Sequence, residues 1–354
     1  MFPGGRARGG NLGSLRVQIP CAVVQFTANV EKLGRALGRH PVWLRPARWL
    51  RQHWLLALAA LSLTLLVLFV HPARIVALFV QANRRDLLVM APCLIAIYFF
   101  KGIGWWVTLR RVGSSAGLIR AVYVMFAGRT LIFLPTGDLA RIALLKETGE
   151  RRANAGTIAG TIAFQELVYT GLVGLGVLPG IGGHPQLILL VIAMALAHAG
   201  VFAILLWKRL YDWAVGVVER VRFFRRFDDQ LRSLRPAFVR LTTPGTLLQV
   251  LFWNALAVLC LMLMFNLAIR AVEGPRVGLA QTTFAYGLGH ILGGLSLLPS
   301  GVGAMEAIVA GLLVTQGVPF VIGVAGVILF RAYNDVISAL LGALVMLVGR
   351  RLGA

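Results

Sequence analysis

Phe133-Leu134-Pro135-Thr136-Gly137-Asp138-Leu139-Ala140 and Leu297-Leu298-Pro299-Ser300-Gly301-Val302-Gly303-Ala304 stand at a constant offset of 164 residues in a chain of 354. In each copy an apolar run stops at Pro and Gly, the residues that end helices. About 30 residues after each copy an ionisable group sits inside another apolar run, Glu166 in the first half and Arg331 in the second. One Leu-Pro-[ST]-Gly turn is an ordinary helix stop. Two at matched positions suggest an internal repeat with broken helices.

The surroundings of the two turns set the fold class. Hydrophobic residues make up 58% of the chain and charged ones 14%, against about 45–50% and about 25% in soluble domains. Mean hydropathy is +0.81, so a soluble globular fold is excluded. Apolar runs at 54–70, 87–106, 118–134, 155–178, 187–207, 246–270, 279–298 and 320–348 approach the ~20 residues of a membrane helix. A ninth, 304–316, is too short to cross. Gly156/Gly160 and Gly289/Gly293 would let helices approach closely, and nothing shows the ten-residue alternation of a β-barrel.

Thirty-five Lys and Arg against 13 Asp and Glu give a net charge of +22. In a soluble chain that would suggest nucleic acid. Here the cations lie between apolar runs, where anionic lipid and the positive-inside rule favour them. The segments 1–53 and 208–244, each with nine Lys/Arg, and Arg350-Arg351 therefore belong in the cytoplasm, whereas 179–186 has no Lys or Arg and belongs outside. Run 118–134 conflicts with this scheme, because Arg110 and Arg111 precede it and Arg141, Lys146, Arg151 and Arg152 follow it. If 118–146 enters the membrane and returns, all these charges fall on one side. The same treatment of 279–316 leaves three spans between the motifs, which places them on opposite faces. The predicted fold is an all-α polytopic membrane protein, a helical bundle with two re-entrant hairpins and an inverted repeat. Its parts are a cytoplasmic basic segment 1–53, a membrane domain 54–349 containing the basic loop 208–244, and a cytoplasmic C-terminus 350–354.

A charge at a helix centre costs about 2.5–3.5 kcal/mol on insertion scales, so intramembrane charges face protein or water. Lys101, Arg129, Asp138, Arg141, Glu166, Glu306, Arg331 and Asp335 are in or beside apolar runs. Lys101 can snorkel to the interface and reads as structural. Asp335 lies four residues after Arg331, as a local helix pair. Arg129, Arg141 and Arg331 flank the two turns or sit on the helix against one, and an arginine fork matches a pair of phosphate oxygens. Backbone N–H groups at Thr136, Gly137, Ser300 and Gly301 could add donors. Asp138, Glu166 and Glu306 could neutralise the arginines, hold a cationic headgroup or carry a proton. The histidines, including His198 and His290, have no companion at metal-ligand spacing, and Trp105-Trp106, Trp207 and Trp213 read as interfacial anchors.

Cys21, Cys93 and Cys260 are widely spaced, with no zinc or disulfide pattern, and no phosphate-binding loop is present. No metal or cofactor is expected. Gly137-Asp138-Leu139-Ala140-Arg141 is similar to part of the motif of membrane CDP-alcohol phosphotransferases, but the Gly and Asp are reversed and the downstream aspartates are absent. The chain is not expected to be an enzyme.

Through Leu134-Pro-Thr-Gly-Asp-Leu-Ala-Arg-Ile-Ala-Leu-Leu-Lys146, Phe164-Gln165-Glu166-Leu167, Leu298-Pro-Ser-Gly-Val-Gly-Ala-Met-Glu306 and Arg331, it resembles the flippase-like, or lysylphosphatidylglycerol synthase transmembrane-domain, family. The resemblance covers roughly 54–349. Family members commonly carry Glu-Arg on the middle helix with an acid shortly after. Here Leu167 follows Glu166 and Thr170 stands further on, which implies that an ion pair is missing from that helix.

The resemblance implies movement of lipids across the cytoplasmic (inner) membrane without their synthesis, since 208–244 is too short for an aminoacyltransferase. Membrane lipids are the expected partners, a separate lipid-modifying enzyme is a further candidate, and no nucleic acid is expected. The expected function is translocation of an anionic or zwitterionic lipid headgroup through a polar cleft, by Arg129, Thr136, Gly137, Asp138, Arg141, Glu166, Ser300, Gly301, Glu306 and Arg331. The alternative is a non-transporting membrane scaffold for a lipid or cell-envelope enzyme.

Overall fold

The computed structural model describes residues 64, 72–131, 140–181, 187–220, 228–273, 277–295 and 302–352. All regular structure among them is helical. Helix α1 is Pro72–Gln81 and α2 is Arg84–Arg111. The Asn83 side chain accepts from the Arg85 N–H at 3.0 Å, Asp86 lies in the first turn of α2 and Arg110-Arg111 in its last, as capping and the helix dipole favour.

Helices α3 (Leu118–Gly128), continued by a 3₁₀ turn at Arg129–Leu131, and α4 (Ala140–Glu147) precede α5 (Ala155–Leu175). Eleven residues of α3 span about 16 Å, about half of a 30 Å hydrocarbon core. Near the tip, Gly128 lies against Arg141, its missing Cβ 3.0 Å from Cγ. At the base, Glu150 takes five hydrogen bonds. Its Oε2 accepts from Ser114 Oγ (2.5 Å), Ser115 N (2.8 Å) and Ser115 Oγ (3.0 Å), and its Oε1 from Arg152 N (2.7 Å) and Ala153 N (2.9 Å). That knot holds the segments before α3 and after α4 together, so this part of the chain goes in and comes back at one end of the bundle.

Helix α6 (Ile188–Leu206) has no buried residue. Arg235 holds its C-terminal end by donating to the Leu206 carbonyl at 2.6 Å, as basic side chains do at helix C-termini. The expected basic loop 208–244 is largely helical, comprising α7 (Lys208–Val218) and α8 (Asp228–Leu241). The reason is an amphipathic spacing that charge counting overlooked: Tyr211, Ala237, Phe238 and Leu241 are buried, while Lys208, Arg209, Arg232 and Arg240 are exposed. Gly160 admits the α8 backbone, since a Cβ there would lie 2.6 Å from the Leu234 carbonyl.

Helix α9 (Pro244–Glu273) runs antiparallel to α2. The Asn83 N–H donates to the Ala271 carbonyl at 2.8 Å, and toward the other end Gly104 faces Asn254 and Trp253. Helices α10 (Leu279–Leu295) and α11 (Ala304–Val314) form the second hairpin. Gly289 opposes Val309 and Gly293 opposes Met305, so one of the two glycine pairs expected to bring helices together closes this hairpin. The Asn266 amide donates to Val277 O (3.3 Å) and Thr282 Oγ1 (3.1 Å), anchoring its base. Helix α12 (Phe320–Arg331), a π turn (Ala332–Ile337) and α13 (Ser338–Leu352) then follow without interruption. Gly326 packs on Ile269, Gly342 on Phe126 and Thr130, and Gly349 on Tyr123, so this segment runs back to the end where α3 begins.

Helix starts at Arg84, Leu118, Ala140 and Ala155 recur at Pro244, Leu279, Ala304 and Phe320, about 160–165 residues on. The repeat expected from one short motif extends over four elements. Because α2 and α9 are antiparallel, its halves are inverted, and the two hairpins enter from opposite ends. Among the described residues five helices are long and apolar enough to cross a membrane, Arg84–Arg111, Ala155–Ile181, Ile188–Leu206, Pro244–Val272 and Phe320–Gly349. The chain is an all-α, multi-pass membrane protein. Residues 1–53, the run 54–70 apart from Thr64, and 353–354 lie outside the described residues.

In a chain whose Cys21, Cys93 and Cys260 are replaced by alanine, Arg111→Cys and Arg152→Cys will label from the same side of sealed vesicles, and Thr315→Cys from the other. Labelling of 111 and 152 from opposite sides would mean that α3–α4 crosses the membrane.

Acid stability gives a second check. Burial raises the Glu150 pKa, but the hydrogen bonds from Ser114, Ala153, Ser115 and Arg152 outweigh it and hold it at about 2. An unfolded Glu titrates near 4.3. The stabilisation is therefore complete above about pH 4.3 and is lost as pH falls from there through about 2. Thermal melts of the detergent-solubilised protein will show this loss, and Glu150→Gln will flatten it.

Candidate functional site

Seven ionisable side chains from seven elements converge in the bundle interior. Glu166, on α5, meets two cations. Its Oε2 is 3.0 Å from Lys101 Nζ of α2 and its Oε1 is 2.8 Å from Arg141 Nη2 of α4. Lys101 also lies 3.9 Å from the ring centre of Tyr169, and Arg141 5.8 Å from that of Trp105. Both cations are buried, and aromatic faces of this kind stabilise a desolvated cation.

The second group gathers on α12 and the π turn. Arg331 pairs through Nε with Glu306 of α11, and its Nη1 is 3.4 Å from Asp335. Arg129 approaches Asp335 at 3.7 Å, donates to the Asn334 carbonyl at 2.9 Å and to Ser338 Oγ at 3.3 Å, and lies 4.7 Å from the Tyr98 ring centre. The Tyr98 hydroxyl donates to the Asn334 side chain at 3.1 Å. The Asn334 carbonyl thus receives Arg129, Tyr98 and Ser338, within a π turn, an irregularity often found at functional positions.

Glu306 is fully buried and serves two partners. Its Oε2 accepts from the Gly303 N–H at 2.7 Å while Oε1 faces Arg331. Gly303 has φ +87°, a left-handed conformation that glycine adopts without penalty. The acid therefore fixes the first turn of α11 and meets the charge on α12. Both hairpins end on one stretch of chain: the first through Arg129 and Asp335, the second through Glu306 and Arg331. His290 lies within electrostatic reach of both groups, of Arg331 and of Lys101 and Glu166. Its ring stacks on Tyr286 with centroids 5.7 Å apart.

Of the residues singled out in the sequence, Arg129, Arg141, Glu166, Glu306 and Arg331 come together here. Thr136, Gly137, Asp138, Ser300 and Gly301 lie outside the described residues. Lys101 does not snorkel: it is buried against Glu166. Glu166 does not lack an ion pair, since its cations come from α2 and α4 rather than from the next residue on its own helix. Trp105 is not an interfacial anchor but fully buried, donating from Nε1 to Thr161 Oγ1 at 3.0 Å. Trp207 and Trp213 are exposed. Sequence reading missed Tyr98, Asn334 and the place of His290. Its one available signal was that His290 lies on the helix leading into the second turn.

Such an interior defines a polytopic membrane protein built around an inverted pair of broken hairpins. The chain belongs to the family described as the lysylphosphatidylglycerol synthase TM region, whose model matches residues 49–342. No curated protein matches it. The family match covers both hairpins and all seven charges, and it makes this a membrane protein associated with lipid handling.

Breaking a buried ion pair by removing one partner typically costs about 3–5 kcal/mol. Glu166→Gln strands two cations, whereas Lys101→Met leaves Glu166 paired with Arg141. Melting temperatures will therefore fall further for Glu166→Gln than for Lys101→Met, and the double variant will lose less than the sum of the two. Equal losses would remove Glu166 from the centre of the group.

Proposed function

We propose that the protein is a lipid translocator that carries an anionic or zwitterionic headgroup through the cleft between the two hairpins while the acyl chains stay in the bilayer. The observation that carries this reading is the convergence of hairpins from opposite ends on one group of charges, so that a headgroup arriving from either leaflet would meet the same residues. A phosphate would compete with Glu306 and Asp335 for the Arg331 fork and with Glu166 for Arg141, since guanidinium binds carboxylate and phosphate through the same donors. Exchanging one anionic partner for another avoids leaving a bare charge at depth. The Thr136-Gly137 and Ser300-Gly301 turns would add backbone donors, and Asp138 a further carboxylate. No bond is made or broken in this scheme. A separate enzyme would modify the lipid, the membrane would be the cytoplasmic one, and the end bearing Arg110 and Arg111 would face the cytoplasm by the positive-inside rule.

The test is reconstitution into liposomes containing fluorescent phospholipid, with a quencher that reaches only the outer leaflet. Translocation predicts additional loss of signal; a non-transporting scaffold predicts none. Arg331→Lys keeps the charge but loses the planar fork, so transport will fall about ten-fold or more, in line with about 1.5–3 kcal/mol for a hydrogen bond to a charged group. Arg331→Gln will be worse. Full recovery of transport in Arg331→Gln with Glu306→Gln would assign Arg331 to structure alone.

A further inference from the structure

The Glu150 knot gathers cations as well as backbone. Arg110 and Arg111 end α2 just before Ser114, Lys146 lies in the last turn of α4 four residues before Glu150, and Arg151 and Arg152 follow it. Arg120, on the first turn of α3, reaches Gly149, its Nη1 4.0 Å from where a Cβ would stand. Five of these six are exposed and Arg120 is half-buried. Among the described residues none of the six meets a carboxylate. Glu150 has both oxygens taken by its five donors. In the described part of 110–154 that leaves Glu147 as the sole exposed acid.

Six cations against the engaged Glu150 and the exposed Glu147 leave an excess of positive charge, and an anion shared among them lowers their mutual repulsion. Their depth says which anion. Arg110 and Arg111 are the last residues of a spanning helix, and Arg110 lies over the Trp106 ring at 4.9 Å, an aromatic position typical of the headgroup layer. We infer that this knot is a docking surface for the phosphate headgroups of anionic phospholipids in the adjoining leaflet, separate from the interior charges. The surface does not depend on transport. Its cations sit on the segments that flank the base of the first hairpin, so the lipids it holds stand beside that base.

Binding is measured on the whole protein in neutral detergent, with fluorescent phosphatidylglycerol as the probe and fluorescent phosphatidylcholine as the comparison. Arg111→Gln/Arg151→Gln/Arg152→Gln removes three exposed charges from the knot. Arg74→Gln/Arg84→Gln/Arg85→Gln removes three exposed charges from the opposite end of the bundle. A juxtamembrane cation contributes about five-fold in affinity. The knot triple is therefore expected to weaken phosphatidylglycerol binding by roughly 100-fold, while the opposite-end triple and phosphatidylcholine binding change little. High salt should reproduce the loss in the unaltered protein. Equal loss in both triples, or no loss in the knot triple with a normal melting temperature, overturns the inference. Displacement by soluble glycerol phosphate as efficient as by phosphatidylglycerol would also overturn it, because the site would then recognise free phosphate rather than a lipid surface.

Discussion

Charges inside an apolar bundle persist only when each has an opposite charge close by, and this requirement organises the whole molecule. Lys101, Arg129, Arg141 and Arg331 each meet a carboxylate carried on a different element. The pairing therefore cross-links long helices and hairpins that van der Waals packing alone would hold loosely, since lipid gives helices no hydrophobic reason to associate. Glu306 concentrates the effect. One oxygen holds the turn of the second hairpin and the other holds the helix against which that hairpin leans.

Glycine supplies the complementary device. Gly289 and Gly293 let α11 return along α10, Gly128 makes room for the Arg141 side chain, and Gly342 seats α13 on the tip of the first hairpin. Small residues at these contacts let backbones approach closely enough for polar groups to meet. The two hairpins differ in this respect. The second is closed mainly by helix-to-helix contact, whereas the first is held at its base by Glu150 and at depth by Arg129 and Arg141.

Much of this was legible in the sequence because charge in an apolar run is conspicuous. Arg129, Arg141, Glu166, Glu306 and Arg331 stood out for that reason, and the clash between flanking cations around 118–134 was enough to predict a hairpin that returns to its starting side. Pairing across distant segments was not legible. Nothing near Glu166 in the sequence points to Lys101, 65 positions earlier, and the local rule that tied Arg331 to Asp335 left Glu306 out. Tyr98 and Asn334 carry no formal charge and are tolerated in apolar helices because they satisfy one another by hydrogen bonding, a pairing the sequence does not display, and His290 stood out only as a histidine without a companion ligand. The helices within 208–244 were hidden by counting charge instead of following its period.

The π turn at Ala332–Ile337 sets a limit on chain length. A helix that winds one residue more than the α ladder requires carries everything beyond it about 100° further round its axis. Ser338 faces Arg129 and Gly342 faces Thr130 only with that phase. Loss of a single residue between Arg331 and Ser338 would turn α13 so that a bulkier neighbour faced the hairpin tip, whereas many substitutions on the lipid side of the same helix would leave the contact untouched. Spacing between the two halves of this helix is thus under tighter constraint than the identity of most residues that fill it.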